Sequence, residues 1–89
     1  MAVTQIFIIG SGTMGNGIAQ AAATSGFRVT LMDVVPEQLE RARVTINKSA
    51  EKLLSKGILS PEQRDAAINI PLVTDLDGVS QADLVVEAA

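Results

Sequence analysis

A doubly wound parallel α/β sheet is the fold this sequence predicts, on three observations. The apolar period switches repeatedly between strand-like and helix-like runs along the chain. A glycine-rich loop, Gly10 to Gly15, joins the first strand-like run to the first helical one. An acidic residue, Asp33, closes the second strand-like run. Strands that alternate with helices call for a parallel sheet with helices packed against it, and right-handed crossovers leave few ways to arrange one.

The elements follow in order. Gln5-Ile6-Phe7-Ile8-Ile9 is short, apolar and rich in β-branched residues, so it reads as a strand buried on both faces. Met14 to Ser25 is small and helical, with Ile18, Ala19 and Ala22 on one face and Gly26 at the helix C′ position. Arg28 to Asp33 is a second strand. Pro36 suits the first position of a long helix, because its missing N–H would find no partner there. Glu37 and Glu40 favour that helix's positive end. Leu39, Ala42, Ile46, Ala50, Leu53 and Leu54 recur at three- and four-residue steps as one apolar stripe, and Gly57 stops the helix. Ser60-Pro61-Glu62-Gln63 reads as a capping box opening a short helix through Ile68. Ile70 to Thr74 is a third strand, placed at an edge by Pro71. Asp75 to Ala82 is a turn or short helix, and Asp83 to Glu87 a fourth strand. The expected strand order is 3-2-1-4, the first part of the doubly wound dinucleotide fold.

Composition excludes several functions. The chain has 89 residues, 47% hydrophobic and 19% charged, with a formal net charge of −3. That is one globular domain at most, too apolar to stay disordered. There is no cysteine and no histidine. Disulfides, thiolate nucleophiles, imidazole bases and the usual zinc ligands are thereby removed, and no metal site is expected. Tyrosine and tryptophan are absent and aromatics make up 2%, so base-stacking platforms are missing. With a negative net charge, no nucleic-acid partner is expected. No apolar run approaches the ~20 residues that span a membrane, and no basic residue precedes the apolar run that Gly10 cuts short. The expected location is the cytoplasm.

Gly10-Ser11-Gly12-Thr13-Met14-Gly15 has the pattern G-x-G-x-x-G. Gly10 makes the tight turn out of the strand, Gly12 lets a pyrophosphate approach the backbone, and Gly15 lets helix and strand pack closely. The N–H groups of Thr13 and Met14 open a helix, so with the helix dipole they bind an anion without any lysine. Asp33 stands about 18 residues beyond Gly15, near the spacing at which a carboxylate reaches an adenosine ribose. It is expected to accept from both ribose hydroxyls and to repel a 2′-phosphate, which selects NAD over NADP. The cofactor-binding residues are therefore Gly10, Ser11, Gly12, Thr13, Met14, Gly15 and Asp33. The alternative is a glycine-rich turn with Asp33 capping the next helix.

Ile8 to Gln20, around this loop, resembles the N-terminal signature of the 3-hydroxyacyl-CoA dehydrogenases, a family that includes the 3-hydroxybutyryl-CoA dehydrogenases. The likeness continues through Val29 to Asp33 and along the long helix to Leu54-Ser55-Lys56-Gly57. It returns in Ala82 to Ala88. The resemblance implies a Rossmann-type domain that holds NAD, in an enzyme that interconverts 3-hydroxyacyl-CoA and 3-oxoacyl-CoA. It implies that residues 1–89 are an incomplete dinucleotide-binding domain. The rest of that domain and a helical domain for catalysis and dimerisation would lie beyond it. The family's base is a histidine held by a glutamate, so the 89 residues alone are expected to be inactive and to hold no catalytic residue. A further NAD-contacting glutamate would also fall past Ala89. Val35 departs from the family's Ser or Thr at the N-cap of the second helix, weakening that cap by ~1 kcal/mol.

Lys48, Lys52 and Lys56 lie at i, i+4 and i+8 and make one helix face basic. The resemblance implies that Ser49 and Lys56 contact the coenzyme A portion of an acyl-CoA substrate. The alternative is a solvated face whose cations favour the helix C-terminus. Glu87 is read as the solvated end of a strand rather than a ribose ligand. A homo-oligomer is expected, because an apolar fourth strand without lysine or proline offers a template for another chain. Two other functions stay open: a free-standing NAD-binding module without catalysis, and a 3-hydroxyisobutyrate-type dehydrogenase.

Overall fold

The first strand, β1 (Gln5–Ile9), lies inside a parallel sheet because its run of Ile6, Phe7 and Ile8 can be buried from both sides. It pairs with β2 (Arg28–Met32) on one edge and with β4 (Leu84–Glu87) on the other. β2 pairs in turn with the two-residue β3 (Leu72–Val73). The order is β3-β2-β1-β4, all parallel, as the sequence predicts. This is a computed structural model, and it describes residues 3–88.

Three helices supply the cover: α1 (Thr13–Thr24), α2 (Pro36–Ser55) and α3 (Pro61–Ile68). Register puts Ile6 beside Val29 and Ile8 beside Leu31. These four join Ala19 and Ala23 of α1, Ala42, Ile46 and Ala50 of α2, and Ala67 of α3 in one core. Strand alternation sends Phe7 and Met32 to the other face. Both are buried there, and a Cβ added at Gly78 would lie 3.7 Å from the Phe7 ring. The alanines on α1 let that helix lie close to the sheet. Its buried line runs through Gly15, Ala19 and Ala23, with Ile18 and Ala22 at its flanks.

Each helix end has an identifiable cause. Gly26 and Gly57 follow α1 and α2 with φ of 98° and 73°, the left-handed region that releases a chain from a helix. Val35 is the N-cap of α2 and makes no side-chain bond, so Pro36 and Glu37 start the helix instead. The capping box of α3 is complete: the Ser60 hydroxyl accepts from Gln63 N at 3.1 Å, and Gln63 Oε1 accepts from Ser60 N at 2.9 Å.

Three strands are shorter than expected, β2 by one residue because it ends at Met32, before Asp33. The third runs only from Leu72 to Val73, because Pro71 has no N–H to give the ladder and offers only its carbonyl, to Leu31 N. Ile70 is 2% exposed but belongs to the core, not the strand. The fourth is assigned from Leu84, although Asp83 N already donates to Gln5 O of β1 at 2.8 Å. Asp83 Oδ2 accepts from Thr4 N, Thr4 Oγ1 and Gln5 N at 2.8–2.9 Å, clamping the start of β4 to the start of β1. Those donors hold its carboxyl below the usual carboxylate range. The expected turn or short helix before β4 is a single 3-10 turn, Val79–Gln81. No helix among the described residues is long and apolar enough to cross a membrane.

The Arg43 guanidinium ties α2 to the end of α3. Its two terminal nitrogens donate to Ile68 O and Ile70 O, each at 2.6 Å. Ile68 O is one of the carbonyls that a helix C-terminus leaves without a partner. We expect Arg43→Ala to lower unfolding stability by about 2–4 kcal/mol, the loss of two charge-assisted bonds at a half-buried site. Urea unfolding measures it, and Arg43→Lys should recover less than half, because one ammonium cannot reproduce the planar fork.

Candidate functional site

The site lies where β1 and β2 deliver their last residues. Gly10 leaves β1 with φ of 101°, and its N–H donates to Met32 O at 2.7 Å. That bond carries the chain across the end of β2. Gly12 then opens α1 as its N-cap, with no side chain capping the helix. The first-turn N–H groups, Thr13 and Met14 among them, have no intrahelical acceptor. Both residues are exposed.

The three glycines differ physically. A Cβ at Gly15 would stand 1.7 Å from Gly10 O, so no other residue fits there without moving the helix off the strand. A Cβ at Gly12 would meet nothing within 4 Å. Gly12 is therefore not demanded by packing, and the space before it is open to an approaching group. Gly10 is demanded by its φ.

Asp33, just past β2, reaches back to the loop. Its Oδ2 accepts from Ser11 N at 3.0 Å and from Ser11 Oγ at 2.9 Å, while Oδ1 accepts from Val35 N at 3.0 Å. Ser11 is 2% exposed, the one buried polar residue in the core of the described chain. The Ser11 N–H, then the Val35 N–H, lower the Asp33 pKa. The Ser11 hydroxyl adds to this and partial burial opposes it. The structure thus joins loop and acid as expected. Three protein donors already reach the carboxylate, two on Oδ2 and one on Oδ1. Asp33 does not cap α2: its bond goes to Val35, the N-cap residue, and so forms a turn ahead of the helix.

Two apolar side chains next in sequence to the site residues are open to solvent. Met14 is 66% exposed and Val34 71%. Sequence reading gave Val34 no role, and the only signal is a β-branched residue where a turn residue would be ordinary. Ser49 and Lys56, which the resemblance assigns to the substrate, lie on and at the end of α2 rather than in the loop. Ser49 is half-buried, and its Oγ accepts from Gln20 Nε2 of α1 at 2.9 Å. Gln20 was also missed, since nothing in helical periodicity marks it as reaching another helix. Lys56 is exposed at the C-cap of α2. Lys48 and Lys52 line a shallow groove with Asn47, Ser49 and Glu51. Glu87 is exposed beside Ile9 in the sheet. A better enclosed cleft of about 410 Å³ opens at the other end of the strands, among Gln5, Phe27, Arg28 and Asn69, and does not include the loop.

A glycine loop at the carboxyl end of β1, an uncapped helix start and a pinned acid at the end of β2 define a dinucleotide-binding domain. The family profile for "3-hydroxyacyl-CoA dehydrogenase, NAD binding domain" matches residues 5–89. A probable 3-hydroxybutyryl-CoA dehydrogenase of Deinococcus radiodurans is 46% identical over 91% of this chain, which spans 29% of that protein. A 5-formyl-3-hydroxy-2-methylpyridine 4-carboxylate 5-dehydrogenase of Mesorhizobium japonicum is 40% identical over 96% of the chain, which spans 27% of it. The crystal structure of 3-hydroxybutyryl-CoA dehydrogenase from Escherichia coli K12 superposes with a TM-score of 0.92 at 39% identity. It covers 100% of this chain, which is 19% of that one. The chain belongs to the 3-hydroxyacyl-CoA dehydrogenase family and matches its NAD-binding domain over residues 5–89.

The depressed pKa of Asp33 has a consequence for stability. Its folded pKa lies below the unfolded value, so its contribution is complete above about pH 3.9 and fades as pH falls through the folded pKa. We expect Asp33→Asn to lower stability near neutral pH and to flatten the acid limb. Urea midpoints from pH 6 down to 2 measure this. An acid limb identical in the two proteins would contradict the hydrogen bonds drawn to Asp33.

Proposed function

We propose that this chain holds NAD for a 3-hydroxyacyl-CoA dehydrogenase that interconverts 3-hydroxyacyl-CoA and 3-oxoacyl-CoA. The observation that carries the proposal is the pinned carboxylate of Asp33 beside an open, uncapped glycine loop. The N–H groups at the start of α1 would hold the pyrophosphate, helped by the dipole of a 12-residue helix. Gly12 would let it approach the backbone, where a side chain would stand in open space. Asp33 would take the adenosine ribose, and the exposed Met14 and Val34 offer apolar surface to a flat base. When bound, NAD accepts the hydride that leaves the substrate's hydroxyl-bearing carbon.

Ser49 and Lys56 are proposed to meet the coenzyme A portion of the substrate. The Ser49 hydroxyl accepts from Gln20 and keeps its own proton to donate. The exposed Lys56 ammonium can pair with a phosphate as a mobile charge. The 89 residues contain no histidine and none of the described side chains is a placed base, so we propose that they do not turn over substrate alone. The proposal includes a homo-oligomer. It also includes a cytoplasmic setting.

The test is cofactor choice. A 2′-phosphate within ~4 Å of the Asp33 carboxylate meets repulsion of a few kcal/mol at an effective dielectric of ~20. NAD should therefore bind at least about tenfold more tightly than NADP, and Asp33→Ala should narrow that ratio. Equal affinities in the unaltered protein, measured by calorimetry, would overturn the role given to Asp33.

A further inference from the structure

Ser11 does more than fill the second place of the glycine loop. An ionised carboxylate offers about four acceptor positions, two on each oxygen. Ser11 N–H and Ser11 Oγ take both on Asp33 Oδ2, and Val35 N–H takes one on Oδ1. A single position on Oδ1 is left among the described residues. The arrangement is held from both sides. Ser11 is 2% exposed, so its hydroxyl has little water to turn to, and an ionised Asp33 can only accept. The loop cannot easily draw back, because Gly10 N is bonded to Met32 O and a Cβ-free Gly15 sits against Gly10 O. Asp33 is thus fixed at three points and cannot swing away from a group brought next to it.

We propose that Ser11 is the positioning residue for cofactor selection: its hydroxyl and N–H lock the Asp33 carboxylate so that one acceptor on Oδ1 faces the ribose and the charge cannot rotate aside for a 2′-phosphate. The proposal rests on Asp33 being the ribose ligand. It differs from that reading in placing the rigidity of the acid, and hence part of the discrimination, in a neighbouring serine. A freely rotating aspartate could relieve part of the repulsion by turning a bond or two. The locked one relieves none of it.

The experiment uses the full chain with three substitutions, Ser11→Ala, Ser11→Thr and Asp33→Asn. NAD and NADP affinities are measured by calorimetry, and the Asp33 carboxyl is followed by carbon-detected NMR. Ser11→Ala should reduce the NAD-to-NADP affinity ratio by about threefold to tenfold, a part of what one bond to a charged group is worth. The Asp33 midpoint should rise in the same variant, a change that loss of packing alone would not bring about. Ser11→Thr, which keeps the hydroxyl, should hold the ratio near that of the unaltered protein. If Ser11→Ala leaves both ratio and midpoint unmoved while Asp33→Asn lowers the ratio, the role of Ser11 is wrong and that of Asp33 stands. If Asp33→Asn itself leaves the ratio unmoved, the ribose reading fails and this inference fails with it. The unaltered protein supplies a check that needs no variant. The Ser11 amide proton should titrate with the Asp33 carboxyl as pH falls, and an amide that does not follow it would overturn the proposal.

Discussion

Everything at the carboxyl end of this sheet depends on how closely α1 approaches β1. The Gly10 carbonyl occupies the space where any side chain at residue 15 would begin, with a would-be Cβ 1.7 Å from the oxygen. That contact sets where the first turn of α1 points its N–H groups. It also brings the helix near enough for Ala19 and Ala23 to reach Ile6, Ile8, Val29 and Leu31 in the core. One residue type therefore serves two ends: packing needs Gly15 small, and the position this gives the helix start makes an anion site of it. A larger residue would lift the helix, open the core and misdirect the amides together.

The second constraint is electrostatic and is used twice. Asp33 grips Ser11 and Val35, and Asp83 grips Thr4 and Gln5. In each case one carboxylate takes backbone N–H groups at an end of the sheet: Ser11 and Val35 past β1 and β2, Thr4 and Gln5 at the start of β1. In each case the bonds pull the carboxyl pKa down. The two clamps sit at opposite ends of the strands and tie different neighbours: β2 to the glycine loop at one end, β4 to β1 at the other. Asp83 is structural. Asp33 does the same mechanical work where a cofactor would come, so its geometry serves both fold and binding.

Much of this was legible in the residues. The strand order followed from alternation of period and from handed crossovers. The glycine loop was recognisable because each glycine has a separate steric reason, and the ends of α2 and α3 were marked by Pro36, Gly57 and the Ser60–Gln63 box. The extents of β3 and β4 were not legible. Ile70 has strand-compatible neighbours yet is taken by the core, and Asp83 keeps a backbone bond to Gln5 O while its side chain holds Thr4 and Gln5. Arg43 reaching Ile68 and Ile70, Gln20 reaching Ser49, and Ser11 filling Asp33 were equally hidden. These are bonds between residues 22 to 29 positions apart, made by single side chains, and neither periodicity nor spacing encodes such partners.

The central claim is that the start of α1 and the Asp33 carboxylate form one continuous cofactor surface. Titrating the isotope-labelled protein with ADP-ribose, and following every backbone amide by NMR, tests it most directly. The account predicts the largest shifts at Gly12, Thr13 and Met14, with a second group at Asp33, Val34 and Val35. Shifts confined to the cleft around Phe27, Arg28 and Asn69, or no shifts at millimolar ligand, would contradict it.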